Sequence, residues 1–380
     1  MPPEMSATPF IPVNEPLLNG NELPYLEECI RTGWISSEGP FIEKFESAMA
    51  SKSGRKYGIA VTNGSAALEA AVTALGIGPG DEVILPSFTI ISCAAAIVRT
   101  GALPVLVDAC PQTWNMNTDL IRARLTARTK AIMVVHIYGM TTDMDPILQL
   151  AAENGLKVIE DAAEVHGQTY RERHCGSFGD LSIFSFYPNK HITTGEGGMI
   201  VTDDPTLAER CKSLRNLCFK KGRRFVHDEL GWNLRMTNLQ AALGLAQLER
   251  LDQFVLIKRR MGAIYRERLS GFPEFELQAE RTSYSENIYW VFGVVLAHTV
   301  AFDAEEAARH LNKKGIGTRP FFWPMHEQPV FRKMGLFHDE SHPVSERIAR
   351  RGFYLPSGLA LSEAQVHRAA DALIEVVQNC

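Results

Sequence analysis

Several features typical of membrane, secreted or nucleic-acid-binding proteins are missing from this chain. No apolar run approaches the roughly 18 residues that a membrane-spanning helix needs. The first ten residues, MPPEMSATPF, lack the basic and apolar regions of a signal peptide. The net charge of −5 argues against a general affinity for nucleic acid or acidic membrane surfaces. We therefore expect a cytoplasmic protein that acts on small molecules.

The chain also lacks the cysteine and histidine patterns of disulfide frameworks and metal sites. Its 7 cysteines are scattered without C-x-x-C spacing, and none of its 11 histidines belongs to an H-E-x-x-H motif. We expect free thiols and no bound metal. A G-x-G-x-x-G motif after the first predicted strand and a P-loop motif are both absent, so neither dinucleotide binding nor P-loop chemistry is supported.

What is present is the composition and pattern of a globular α/β protein. Hydrophobic residues make up 45% and charged residues 22% of the 380 positions, which suffices for two domains. Short apolar runs at 57–61, 82–86, 103–107, 131–136 and 156–161 alternate with helical patterns at 92–100, 119–125 and 145–154. This alternation predicts right-handed βαβ crossovers and a mainly parallel sheet that is covered on both faces.

The C-terminal third has a different pattern. One long helix is predicted over 239–269, followed by strands at 289–296 and 316–322 and helices at 304–313 and 362–376. We predict a large domain over residues 1–250, which begins with an irregular proline-rich arm at 1–20. A smaller α+β domain is predicted over residues 251–380.

Lys190 stands just after a predicted strand. The run 182–187 is rich in β-branched and aromatic residues, Pro188 ends it, and a glycine-rich segment follows at 195–198. Those glycines let backbone approach a flat ligand closely. A desolvated lysine amine can form a Schiff base with an aldehyde, although most single lysines are ordinary solvated side chains.

Two earlier segments have the chemistry of an anion site and of a buried acid. At 62–68 a strand turns into an alanine-rich helix, whose free N–H groups can bind a phosphate; a plain N-cap by Asn63 or Ser65 is an equal alternative. At 160–161 a strand ends in two acids. One of them must point inward if the strand is central, and it then needs a cationic partner such as a protonated pyridine nitrogen. The alternative is an acid pair that faces solvent.

A phosphate-binding helix start, an inward acid and a lysine together match the needs of pyridoxal 5′-phosphate (PLP). The motifs N-G-S-A-A-L, E-D-A-A-E, S-F-Y-P-N-K-H-I-T-T-G-E-G-G-M and W-N-L-R-M-T-N-L-Q-A-A resemble those of the DegT/DnrJ/EryC1/StrS family of PLP-dependent sugar aminotransferases. The resemblance covers nearly the whole chain. It implies the aspartate-aminotransferase fold (fold type I), and a homodimer with active sites at the subunit interface.

The same resemblance implies roles for individual residues. Lys190 would form the Schiff base and later act as general base, Asp161 would keep the pyridine nitrogen protonated, and Glu164 would lie near the ring hydroxyl. The implied phosphate contacts are Gly64, Ser65, Ser185 and, from the other subunit, Asn233. The implied nucleotide-sugar contacts are Trp34, Arg319, Phe321 and His326. The basic run 220–224 is either solvated surface or a loop that meets a diphosphate.

One position departs from the family pattern. An aromatic residue that stacks on the cofactor ring is expected two positions after Phe88, but Ile90 stands there. Either Ile90 covers the ring as an apolar lid or Phe88 takes that place.

Within the family, the resemblance is to members that aminate C4 of GDP-4-keto-6-deoxymannose and give GDP-perosamine for surface polysaccharide such as O-antigen. L-Glutamate is the expected amino donor, and a UDP- or dTDP-4-keto-6-deoxy sugar is the alternative substrate. A sugar 3-dehydratase, in which histidine replaces the family's lysine, is disfavoured by Lys190. A catalytically inactive regulatory homologue is disfavoured because the lysine, the aspartate and the phosphate-site residues occur together.

Overall fold

The structure is a computed structural model that describes residues 9–378 except 221 and 224. The α-helices are α1 (Glu22–Thr32), α2 (Pro40–Lys52), α3 (Gly64–Ala74), α4 (Ile91–Arg99), α5 (Met144–Asn154), α6 (Pro205–Arg215), α7 (Asn238–Leu248), α8 (Leu251–Leu269), α9 (Ala304–Lys313), α10 (Pro329–Lys333), α11 (Pro343–Arg351) and α12 (Glu363–Gln378). The strands are β1 (Tyr57–Val61), β2 (Glu82–Pro86), β3 (Leu103–Val107), β4 (Thr129–Val135), β5 (Lys157–Asp161), β6 (Thr169–Tyr170), β7 (Arg173–His174), β8 (Leu181–Ser185), β9 (Gly198–Thr202), β10 (Phe275–Leu277), β11 (Phe292–Leu296), β12 (Arg319–Pro320) and β13 (Gly352–Leu355).

The central sheet has the strand order β1-β9-β8-β5-β4-β2-β3. The neighbours from β8 to β3 run parallel, whereas β9 is antiparallel to both β1 and β8. Alternate residues of β4 face opposite sides: Met133 packs in the core that includes α3 and α4, and Ile132 packs in the core that includes α5. The predicted α/β class, with a mainly parallel sheet covered on both faces, is confirmed.

A second, antiparallel sheet has the order β10-β11-β13-β12, and its core includes residues of α8, α9 and α12. The described part of the N-terminal arm lies on this region. Ile11 is fully buried there, and its N–H donates to the Gly315 carbonyl at 2.8 Å while its own carbonyl accepts from Gly317 at 2.8 Å. The division into domains at residue 250 stays a prediction.

Two predicted helices are wrong in detail. The segment 119–125 forms two short 3₁₀ turns, Thr118–Leu120 and Arg122–Arg124. Ile121, between the two turns, is buried, whereas Leu120 is 43% exposed. The predicted helix 239–269 is divided into α7 and α8. The break has no glycine or proline, and at it the Glu249 side chain accepts hydrogen bonds from Asn21 (2.7 Å) and Tyr25 (2.6 Å).

Other boundaries differ by a few residues, and β12 retains only Arg319–Pro320 of the predicted strand 316–322. The six cysteines that the structure describes are free thiols, and Cys380 lies outside the described residues. Among the described helices none is long and apolar enough to cross a membrane.

The loop after β4 crosses the segment that leads into β11 at very short range. Tyr138 and Gly139 have positive φ angles of 57° and 97°. A Cβ atom on Gly139 would lie 2.5 Å from the Tyr289 nitrogen and 2.7 Å from the Trp290 nitrogen. The position therefore needs glycine both for its backbone conformation and for space.

We expect Gly139→Ala to destabilise the fold far more than Gly155→Ala. Gly155 also has a positive φ, 65°, but an added Cβ meets nothing within 4 Å, so its replacement should cost about 1 kcal/mol of unfolding free energy. Gly139→Ala should cost about 1–3 kcal/mol more, because the added methyl meets backbone atoms. Denaturant unfolding of both variants measures the difference. Equal losses would contradict the close approach.

Candidate active site

A cavity of about 560 Å³ lies where the parallel strands end. Val135, Asp161 and Ser185 are the last residues of β4, β5 and β8, and all three line it. The carboxyl edge of a parallel sheet is the usual place for a ligand in an α/β fold. The turn from β1 into α3 contributes Gly64 and Ser65 to the same cavity.

Lys190 reaches the cavity with a side chain that is only 10% exposed. Its Nζ lies 3.6 Å from Oε1 of Glu164 and 3.6 Å from the centre of the Trp290 ring. Burial lowers the pKa of the Lys190 amine, while the Glu164 and Asp161 carboxylates oppose the shift. The amine is thus held in a partly apolar place where its neutral, nucleophilic form becomes more accessible.

Two buried carboxyl groups face Lys190. Asp161 accepts from the backbone N–H of Ala163 at 3.0 Å and from the thiol of Cys93 at 3.3 Å. Glu164 accepts from the backbone N–H of Tyr138 at 2.9 Å. Burial raises the pKa of both carboxyls, that of Glu164 to about 7. A cationic ligand group in the cavity would stabilise their ionised forms.

Both acids that end β5 are buried, so the alternative of a solvent-facing pair is wrong. Glu160 is fully buried on the side away from the cavity lining. Its carboxylate accepts from His136 (3.1 Å), from the backbone of Gly176 (2.7 Å) and Phe178 (2.9 Å), and from Ser182 (2.8 Å). These four donors compensate its charge, so Glu160 has a structural role and Asp161 is the acid that is available to a ligand.

The start of α3 combines the two interpretations that the sequence left open. The Asn63 side chain caps the helix by accepting from the Ala66 N–H at 2.8 Å, and the first residues of the helix still line the cavity. The hydroxyls of Ser65 and Ser92 lie 2.7 Å apart. Free N–H groups at a helix start, together with hydroxyls, form a site for a phosphate group.

These residues fit pyridoxal phosphate. The hydroxyls and helix start suit its phosphate, the Asp161 carboxyl suits its ring nitrogen, and the Lys190 amine suits its aldehyde. The space is also preserved by Gly64, because a Cβ there would lie 2.7 Å from the Cβ of Ser185.

Ile90 and Phe88, the two candidates for covering the cofactor ring, are packed differently. Ile90 lines the cavity and is 41% exposed. Phe88 is fully buried behind the lining residues, with its ring centre 5.9 Å from that of Tyr138. Phe321, predicted to contact the nucleotide sugar, belongs to the same aromatic cluster, 4.8 Å from Tyr138. Of these three residues only Ile90 lines the cavity, and the ligand contacts of Phe88 and Phe321 stay predictions.

Of the remaining residues predicted to contact substrate or cofactor, Arg319 lines the cavity. His326 does not: it is buried, with its ring nitrogens bonded to Ser87 (2.9 Å) and Glu346 (3.1 Å). Trp34 and Asn233 are exposed and lie outside the cavity lining of their own chain. In the basic run 220–224, residues 221 and 224 lie outside the described part of the chain.

Trp290 is a cavity residue that the sequence analysis missed. Its indole N–H donates to the Asn189 carbonyl at 2.6 Å, and its ring covers the amine of Lys190. Its own carbonyl accepts from the buried Nζ of Lys258 at 2.9 Å, which also donates to the Ser357 carbonyl. Ser92, Phe322 and Tyr354 also line the cavity. No local motif distinguishes these residues from ordinary core residues.

Comparisons with known proteins agree with this geometry. The model of the DegT/DnrJ/EryC1/StrS aminotransferase family matches residues 16–374. The chain is 43% identical to a GDP-perosamine synthase of Caulobacter vibrioides, over 98% of this chain and 100% of that protein. It is 42% identical to a GDP-perosamine synthase of Escherichia coli O157:H7, over 96% and 98% of the two chains. Among solved structures, S. venezuelae DesV aligns with a TM-score of 0.89 at 32% identity, over 98% of this chain and 99% of that one.

The support that Lys258 gives to Trp290 predicts a pH-dependent contribution to stability. Burial lowers the pKa of Lys258 from its ordinary value of 10.5 to about 7. Between pH 7 and pH 10.5 this lysine is therefore mostly protonated in the unfolded chain and mostly neutral in the folded protein. The stability of the wild type relative to Lys258→Met should therefore rise with pH from 7 upward, by at most about 1.4 kcal/mol per pH unit. Urea unfolding of both proteins at pH 7, 8 and 9 measures this. A difference that does not change with pH would contradict it.

Proposed function

Because the chain belongs to the DegT/DnrJ/EryC1/StrS aminotransferase family, we propose that it aminates C4 of GDP-4-keto-6-deoxymannose to give GDP-perosamine. The enzyme is a PLP-dependent sugar aminotransferase. The observation that supports this substrate is the 42–43% identity, over nearly the full length of both chains, to two proteins named GDP-perosamine synthase. L-Glutamate is the proposed amino donor, and the product would serve O-antigen or related lipopolysaccharide synthesis from the cytoplasm.

The proposed assembly is a homodimer with shared active sites. Asn233, the proposed phosphate contact, lies outside the cavity of its own chain, as expected for a residue that serves a partner subunit. Near it in the chain, Leu230 is 93% exposed and Trp232 is 38% exposed. Apolar side chains in such positions are suited to burial in an interface.

The chain's own residues divide the catalytic work. When bound, PLP supplies an electron sink for the carbon that loses or gains a proton. Lys190 would hold the cofactor through Nζ and, once released, would move that proton as a general base. Asp161 would pair with the ring nitrogen. Glu164, with a pKa of about 7 and Oε1 at 3.6 Å from Nζ, can hold or release a proton beside the lysine at neutral pH.

The dehydratase alternative requires a histidine in place of the lysine. The neighbouring His191 is fully buried, is absent from the cavity lining, and has its Nε2 3.5 Å from the Ile288 carbonyl. Of these two neighbours it is Lys190, and not His191, that lines the cavity, which favours amino transfer.

The test is a product assay with GDP-, UDP- and dTDP-linked 4-keto-6-deoxy sugars. We expect the PLP-loaded enzyme and ¹⁵N-labelled L-glutamate to convert the GDP sugar into a ¹⁵N-amino sugar, detected by mass spectrometry. Lys190→Ala is the control that should give no product.

Three results would contradict the proposal. Amination of only the UDP or dTDP sugar would change the substrate, and a 3-deoxy product without nitrogen would indicate a dehydratase. Absence of any product, with PLP bound, would indicate a regulatory homologue.

A further inference from the structure

A short chain of hydrogen bonds leads away from Asp161. It consists of Cys93, which lies on α4, and Thr89, which lies two residues before α4. The sulfur of Cys93 is 3.3 Å from Oδ2 of Asp161 and 3.4 Å from the hydroxyl oxygen of Thr89. The exposed fractions of Thr89, Cys93 and Asp161 are 0%, 0% and 2%. Neither Cys93 nor Thr89 lines the cavity, so neither is placed to touch a ligand.

The direction of the chain follows from its chemistry. An ionised carboxylate can only accept hydrogen bonds, so the thiol of Cys93 donates to Asp161, and the sulfur is left to accept from the Thr89 hydroxyl. Burial raises the pKa of the Cys93 thiol well above its ordinary value, which keeps the donor proton in place. The backbone N–H of Ala163 occupies the other carboxylate oxygen, Oδ1.

We propose that Cys93 is a positioning residue that fixes the Asp161 carboxylate and sets its basicity toward the ring nitrogen of PLP. The inference rests on the proposed role of Asp161. A thiol is a weak donor, so it orients Oδ2 while leaving most of the negative charge available. Thr89 supports the arrangement by orienting the thiol.

Other titratable groups also lie near Asp161, and they are the same in both Cys93 variants. Lys190 and Glu164 face it from the cavity side, and His136 acts on it from the end of β4. A substitution on α4 leaves these groups in place, so a change in the behaviour of Asp161 reports the thiol.

The first experiment compares Cys93→Val with Cys93→Ser in the PLP-loaded enzyme. Valine fills the site without a donor, whereas serine keeps one. The readout is the pH midpoint of the visible absorption band of the bound cofactor. Valine removes the thiol donor, so Asp161 becomes more basic and stabilises the protonated ring nitrogen more strongly. That positive charge disfavours a second proton, on the nitrogen that joins Lys190 to the cofactor. Cys93→Val should therefore lower the midpoint by about half a pH unit, the scale of one modest hydrogen bond.

Cys93→Ser should remain near the wild-type midpoint. If valine leaves the midpoint unchanged, the thiol does not set the basicity of Asp161 toward the cofactor, and the proposal fails. If serine shifts it as far as valine does, in the same direction, packing and not donation is responsible, and the proposal also fails.

The second experiment needs no cofactor and so separates this inference from the proposed function. The infrared S–H stretching band of Cys93 is isolated at pH 8 as the difference between spectra recorded with and without Cys93→Ser, in the wild type and in Asp161→Asn. The band should lie at higher frequency in Asp161→Asn, because an amide oxygen is a weaker acceptor than a carboxylate. A band unchanged by Asp161→Asn would overturn the thiol contact. If the S–H band shifts but Cys93→Val leaves the pH midpoint of the cofactor unchanged, the thiol contact stands and the proposed role of Asp161 toward the cofactor is rejected.

Discussion

The desolvation of Lys190 is the constraint on which the site depends. A lysine amine withdrawn from water loses part of its preference for the charged form, and the nearby acids restore some of it. The amine nitrogen lies 3.6 Å from a carboxylate oxygen of Glu164 and 3.6 Å from the centre of the Trp290 ring. The result is an amine that is confined in position but still reactive.

The fold satisfies this constraint by bringing distant segments to one edge of the central sheet. Asp161 and Ser185 come from adjacent parallel strands, and Gly64 comes from the helix start that follows β1. Trp290 reaches the same place through the close crossing at Gly139 and is supported by Lys258. Structural elements far from the chemistry therefore determine how Lys190 is held.

Much of this arrangement could be predicted from the sequence, because its main residues stand at strand ends and a helix start. Lys190, Asp161 and Gly64 are marked by local signals, namely a strand exit, a terminal acid and a strand-to-helix turn. Trp290 and Cys93 have no such signal, since their roles arise from contacts with residues far away in the chain. The different settings of Ile90 and Phe88 also had no local signal: Ile90 lines the cavity, whereas Phe88 is buried among other aromatic rings. The break between α7 and α8 has no glycine or proline to mark it, and the residue at the break, Glu249, is bonded to Asn21 and Tyr25 far away in the chain.

In the proposed enzyme the cofactor is attached at Lys190 and not at Lys258, a second buried lysine whose pKa is also lowered. Borohydride reduction of the PLP-loaded enzyme makes the attachment permanent, and peptide mass spectrometry then locates it. We expect a modified peptide that contains Lys190 and an unmodified Lys258. Modification of Lys258, or of any other lysine in place of Lys190, would contradict it.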